Sequence, residues 1–188
     1  SQQSDMARDC LLRASILDRF CVSLCDVLLG AGGRVEGQLD GQEFIQLVAS
    51  GAILGIAVDD KLEWYRYHRL FQEFLQRQLG KQYAAVEIAE LHWRAASWLE
   101  SQSLLEEAIP QALAGQGAVA AARLLARHQG ALLDRGQRHR LERCLRLLPA
   151  DTIENDPEML LLKAWLIHHQ GRQLETPAVL DRIERLVE

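Results

Sequence analysis

From Ala84 to the end of the chain, apolar residues recur every three or four positions and never settle into two-residue alternation. That spacing puts them on one face of successive α-helices and leaves no room for a sheet in more than half of the molecule. Ile88, Leu91, His92, Ala95, Trp98 and Leu99 hold the pattern over three turns, and Leu105, Ala108, Ile109, Ala112 and Leu113 repeat it. Pro110 is the discordant residue of that second helix, expected to kink or split it because proline removes a backbone donor and crowds the preceding turn. Further helices are predicted over 118–133, 139–148, 158–170 and 178–187, with Gly115, Gly117, Gly136, Pro149, Asp151, Pro157 and Gly171 in the breaks. Helices of this length joined by short connections predict stacked antiparallel hairpins. Trp98 and Trp165 stand 67 positions apart, near twice the roughly 34-residue tetratricopeptide period. The expectation for residues 84–188 is the start of a tetratricopeptide-like superhelix.

Residues 1–82 read differently. Stretches 8–15 and 21–29 suit short helices, and Gly30 opens a GAGG break. A third helix is predicted over 42–50, closed by Gly51 as a C-cap. The segment ILGIAVDD is rich in β-branched residues and KLEWYRYH in aromatics. With Asp59, Asp60 and Lys61 at the turn, they predict a small β-hairpin. RLFQEFLQRQL follows His68, with Phe71, Phe74, Leu75 and Leu79 as its apolar stripe. Short helices followed by a two-stranded hairpin match the winged-helix plan. The fold class is therefore mainly α, a winged-helix domain with a small hairpin followed by helical hairpins.

With 188 residues, 48% of them hydrophobic and 25% charged, the chain is long enough for one large core or two small ones. No apolar run approaches the roughly 20 residues of a membrane span. The opening SQQSDMARDC lacks the apolar core of a secretion signal. A cytoplasmic location is expected. The chain starts without Met and ends in a helical pattern, DRIERLVE, so it reads as a piece of a longer protein.

Cys21 and Cys25, four apart, share a helical face and offer half of a metal site, but no companion CxxC or HxxxH pair completes it. The simpler reading makes Cys10, Cys21, Cys25 and Cys144 reduced, hydrophobic residues. His92, His128, His168 and His169 raise the question of catalysis. His168 and His169 diverge by about 100° on a helix, and no GxSxG, HExxH, paired-carboxylate or phosphate-loop motif accompanies any of them. The chain is not expected to be an enzyme.

SILDRFCVSLCDVLLG and EWYRYHRLFQEFLQRQL resemble the large ATP-binding LuxR-type transcription activators, a group within the signal-transducing STAND ATPases. LHWRAASWLESQSLLEEAIPQALAGQG and MLLLKAWLIHHQGR are similar to the start of the helical repeat region of that family. The resemblance implies a parent with an N-terminal nucleotide-binding domain, a winged helix, a superhelical sensor and a C-terminal helix-turn-helix that binds DNA. This chain would hold the winged helix and the first helices beyond it. Its implied partners are its own nucleotide-binding domain, other subunits, and a small-molecule or protein inducer. DNA would be reached only through a domain absent here, and no membrane is involved. ATP or ADP would be the parent's ligand, with none expected for the fragment alone.

The resemblance also implies a role for His68: its counterpart in the family reaches the β-phosphate of bound ADP. A helix N-terminus favours an anion, and imidazole can donate to phosphate. The alternative makes His68 a capping or packing residue between strand and helix. Arg66 and Arg69 flank it and could help with phosphate, but alternation is expected to turn Arg66 away from the neighbours of His68, and both arginines read as solvated surface. RGQRHRLERCLR carries Arg135, Arg138, Arg140, Arg143 and Arg146, a pattern open to phosphate or nucleic acid. Leu141, Cys144, Leu145 and Leu148 share one face of the same helix, which makes the arginines its wet side. Residues 1–80 hold eight Lys/Arg against eleven Asp/Glu, a balance of −3, which disfavours DNA binding by the winged helix. Trp93, Trp98 and Trp165 fit either a core or the wall of a groove. A scaffold of tetratricopeptide-like hairpins with no nucleotide role is the competing functional class.

Overall fold

The computed structural model describes residues 2–30, 39–50, 55–58, 63–171, 174 and 176–187. In chain order these form α1 (Gln2–Ala14), α2 (Val22–Leu29), α3 (Gly41–Ser50), β1 (Gly55–Ala57), β2 (Tyr65–Tyr67), α4 (Arg69–Gln82) and α5 (Ala85–Ser101). They continue as α6 (Leu105–Gln116), α7 (Ala118–Asp134), α8 (Arg138–Arg146), α9 (Ala150–Glu154), α10 (Pro157–His169) and α11 (Thr176–Val187). The chain divides into two compact units, 1–98 and 99–188, with the division inside α5.

In the first unit the predicted short helices are present, with α1 reaching back to Gln2, further than the apolar pattern indicated. α3 begins with a reciprocal capping box: the Glu43 amide donates to Asp40 Oδ1 at 2.8 Å, and the Asp40 amide donates to Glu43 Oε2 at 3.0 Å. Its first residue, Gly41, is buried, and its amide donates to Asp26 Oδ1 of α2 at 2.7 Å. A Cβ there would run into the Val22 carbonyl oxygen, so only glycine lets the two helices approach this closely.

β1 and β2 pair antiparallel, with Gly55 opposite Tyr67, Ile56 opposite Arg66 and Ala57 opposite Tyr65. The predicted turn residues Asp59, Asp60 and Lys61 lie outside the described residues, as do Gly51, Ile53, Leu54 and the GAGG break beyond Gly30. A third chain segment joins the hairpin. Phe20 exchanges both backbone hydrogen bonds with Tyr65, at 2.8 and 2.9 Å, so β2 lies between β1 and Phe20. The Phe20 side chain is fully buried, with its ring 4.8 Å from Tyr67 and 5.9 Å from Phe44. Around it Leu12, Leu17, Leu24, Leu28 and Leu29 complete the core. Three helices, a one-residue first strand and a hairpin make a winged helix.

α4 corrects one expectation. Leu75 and Leu79 are buried as predicted, but Phe74 is 53% exposed. Consecutive helical residues are about 100° apart, and the face that meets the unit runs through Leu75, Leu79 and Gln72, which leaves Phe74 on the outer side.

The second unit is helical throughout its described residues, and its helices pack as hairpins. α6 and α7 are joined through Gly117 alone, whose φ of +83° suits glycine. α10 packs on α11, and α8 on α6 and α7. α6 is not split at Pro110. Ala108, Ile109 and Ala112 around it are fully buried, and that packing holds the helix through the missing donor. α9 is a single turn after Pro149, in a stretch where the sequence pattern shows only a break. α10 opens on Asp156, whose carboxylate accepts from the Glu158 amide at 2.9 Å and the Met159 amide at 3.3 Å, with Pro157 in the first turn. Ile109, Leu124, Leu125, Leu141 and Met159 form the core of this unit.

Candidate functional site

Alternation along β2 decides what lines the surface beside α4. Tyr65 and Tyr67 turn inward and are buried, while Arg66 between them is exposed. The Tyr67 ring packs on Phe20 and, at 5.8 Å, on Phe71, and its hydroxyl donates to the Leu11 carbonyl at 3.2 Å. Burial raises its phenol well above the ordinary range, so it stays neutral and structural. His68 follows in extended geometry (φ −62°, ψ 134°) and is the N-cap of α4, and its carbonyl accepts from the Gln72 amide at 3.0 Å. The His68 side chain is exposed and makes no capping hydrogen bond. The capping role open to it in the sequence is therefore not the one its imidazole plays.

His68 opens onto a cleft of about 580 Å³. Arg66, Arg69 and Asp18 line it with His68, and Ile56, Gln72, Glu73 and Gln76 close its sides. The expectation that Arg66 points away is corrected here. Residues two apart on a strand share a face, so Arg66 and His68 point the same way and the two tyrosines point the other. Arg69 is tied to Glu73, Nε to Oε1 at 3.1 Å. Gln72 and Gln76 hold the cleft floor to the turn after α1. Gln72 Nε2 donates to the Ser15 and Leu17 carbonyls at 3.0 and 2.8 Å, and Gln76 Nε2 donates to Ser15 at 2.9 Å. The amides in the first turn of α4, the dipole of that helix and the side chains of Arg66, His68 and Arg69 favour an anion in the cleft, which Asp18 and Glu73 oppose. His68, Arg66 and Arg69 are candidates in the sequence; Asp18, Gln72 and Gln76 come from another turn or from polar positions of α4, and no sequence signal marks them.

The other sequence candidates fall elsewhere. On α8, Leu141, Cys144 and Leu145 are buried, and Leu148 just beyond it is buried as well. The arginines lie on the wet side, and three of them meet carboxylates. Arg140 Nε reaches Glu106 at 2.8 Å, Arg143 reaches the same carboxylate at 3.1 Å, and Arg146 pairs with Glu142. His128 Nε2 lies 2.8 Å from Glu100 Oε1, which Arg127 also holds at 2.8 Å. His169 stacks on Trp165 with centroids 3.9 Å apart, its Nδ1 is 3.0 Å from the Trp165 carbonyl, and its ring meets that of His168 edge-on at 5.6 Å. Trp98 is half-buried, 6.3 Å from Trp64, and the Arg19 guanidinium lies over the Trp64 ring at 4.4 Å. Among the described residues no group of three or more His, Cys, Asp or Glu is placed to hold a metal ion, and no helix is long and apolar enough to cross a membrane.

Comparison with known proteins fits this architecture. Over 179 residues, 95% of its length, the chain is 35% identical to the HTH-type transcriptional regulator MalT of two strains of Klebsiella pneumoniae. It spans 19% of the length of those relatives. A family model described as the MalT winged helix domain matches residues 1–87, the stretch that holds the three helices, the hairpin and the His68 cleft. The winged-helix arrangement of the first unit is the fold that this match describes.

Proposed function

We propose that this chain is a regulatory segment of a larger, cytoplasmic, ATP-dependent LuxR-type transcription activator of the STAND class, and that it carries no catalysis of its own. In this reading the winged helix reports the nucleotide state. ADP, held by a nucleotide-binding domain elsewhere in the parent, sets its β-phosphate against His68 and ties that domain to the winged helix in the resting form. Inducer, a small molecule or a protein, together with ATP releases the tie and permits assembly and activation. DNA is contacted through a separate helix-turn-helix. Residues 84–188 begin a tetratricopeptide-like sensor arm.

The observation that carries this reading is the exposed imidazole of His68, free of any capping bond, at the N-terminus of α4, facing a cleft that Arg66 and Arg69 also line. The kinship with a transcriptional regulator supports the rest. The test is a His68→Ala substitution in the full-length parent. ADP should be released faster, and transcription should rise without inducer. Unchanged ADP retention with unchanged basal transcription would overturn the reading.

A second reading, a helical scaffold that binds a partner protein without a nucleotide role, draws on the hairpins of residues 99–188. It predicts that a parent lacking His68 behaves as wild type. Direct DNA binding by the winged helix is disfavoured by its −3 balance over residues 1–80 and by the exposed Gln42, Glu43 and Gln46 of α3, none of them basic.

A further inference from the structure

We infer that Arg66 is a second anion-binding residue of the His68 cleft, and that the winged helix binds a diphosphate group through both side chains; this rests on the nucleotide reading above and names a residue that it does not require. Three observations converge. Arg66 and His68 are two apart on one extended face, so their side chains leave the strand in the same direction, about 6.6 Å apart along it. Among the described residues, no hydrogen bond or ion pair of the Arg66 guanidinium is present, whereas Arg69, the other arginine of the cleft, is held by Glu73 at 3.1 Å. The guanidinium and the imidazole both line the same cleft.

The charge balance makes Arg66 matter. Asp18 and Glu73 also line the cleft. Glu73 is engaged with Arg69, Asp18 has no hydrogen bond or ion pair among the described residues, and a phosphate entering beside it meets repulsion. His68 offers one N–H donor while neutral. A guanidinium is always charged and presents several donors in a planar fork suited to phosphate oxygens. Arg66 therefore supplies the permanent positive charge that offsets Asp18, and His68 supplies the directed hydrogen bond.

The test uses the 188-residue chain with inorganic pyrophosphate as probe, at low salt, with binding followed by calorimetry and by the imidazole resonances of His68. The wild-type chain should bind pyrophosphate and shift those resonances. Arg66→Gln should weaken binding on the order of fivefold, Arg66→Lys should restore part of it, and Asp18→Asn should tighten it. Arg66 is exposed on a strand whose neighbours carry the core contacts, so the thermal midpoint of Arg66→Gln should match wild type. No pyrophosphate binding by the wild-type chain, or equal affinity in Arg66→Gln, overturns the inference. The nucleotide reading is judged separately, by ADP release from the His68→Ala parent. Faster release there, with unchanged pyrophosphate affinity in Arg66→Gln, removes Arg66 from the site and leaves His68 in it.

Discussion

Gln72 donates its side-chain amide to the Leu17 carbonyl at 2.8 Å, from one turn into α4 back to the segment between α1 and α2. The same nitrogen reaches Ser15, which also receives Gln76. Two backbone carbonyls past the end of α1 are thus satisfied by one helix, and the N-terminus of α4, with His68, is fixed against the core.

Gln72→Glu keeps the shape of the side chain but removes both donors and sets a carboxylate against two carbonyl oxygens. It should cost about 1–3 kcal/mol of stability, read as a lower urea midpoint. Gln76→Glu should cost less, because Ser15 keeps its bond from Gln72. Equal losses in the two variants would show that the carbonyls are not shared as described.

The parts of the fold that were legible in the sequence are those set by periodicity. The 3.6-residue spacing placed α5 to α8, α10 and α11, and the shift to β-branched and aromatic residues placed the hairpin. What periodicity carries poorly is an element shorter than its own repeat. Phe20 acts as a strand one residue long, and α9 is a single turn; neither has room for a pattern. Phe74 misled because phenylalanine was weighed by its hydrophobicity, whereas glutamines at 72 and 76 took the inner face for their hydrogen bonds. In the cleft, His68 was legible only through family resemblance. Arg66 is exposed, as expected of solvated surface, but it lines the same cleft as His68, because alternation along the strand sets 66 and 68 on one face.

Gly41 marks a close approach of α3 to α2. Gly41→Ala drives a methyl group into the Val22 carbonyl oxygen and crowds Asp26, so α3 must move away from α2 and loosen the bond from the Gly41 amide. A cost of about 1–3 kcal/mol is expected, typical of overpacking, although alanine is the better helix former. A variant as stable as wild type would mean that α3 shifts freely.

Thiol reactivity should separate the cysteines. Cys10, Cys25 and Cys144 are buried, and burial pushes the Cys10 and Cys144 thiols up to about 11 and Cys25 well above its usual range. Cys21, at the start of α2, is partly exposed. Since the thiolate is the reactive form, a disulfide reagent at neutral pH should label one thiol rapidly and the other three only on unfolding. Cys21→Ser should abolish the fast phase. A fast phase that survives it would place a second thiol at the surface.

Acid should loosen the second unit through two carboxylates. Burial alone would raise the Glu100 and Glu106 carboxyls, but hydrogen bonds outweigh it, from His128 and Arg127 onto Glu100 and from Arg140 and Arg143 onto Glu106, and both lie below the ordinary 4.5. A folded-state value below the unfolded one gives stability that is present above pH 4.5 and lost as pH falls through the folded value. Asp9, in the first unit, has the opposite sign: burial outweighs Arg13 and raises its carboxyl above 3.8, so protonating it favours the folded form. The urea midpoint of the second unit should therefore drop between pH 5 and pH 3. Replacing Glu100 and Glu106 together by Gln should cost about 1 kcal/mol per site at pH 7 and flatten that drop. A double variant with the wild-type pH slope would show that other carboxylates control the acid response.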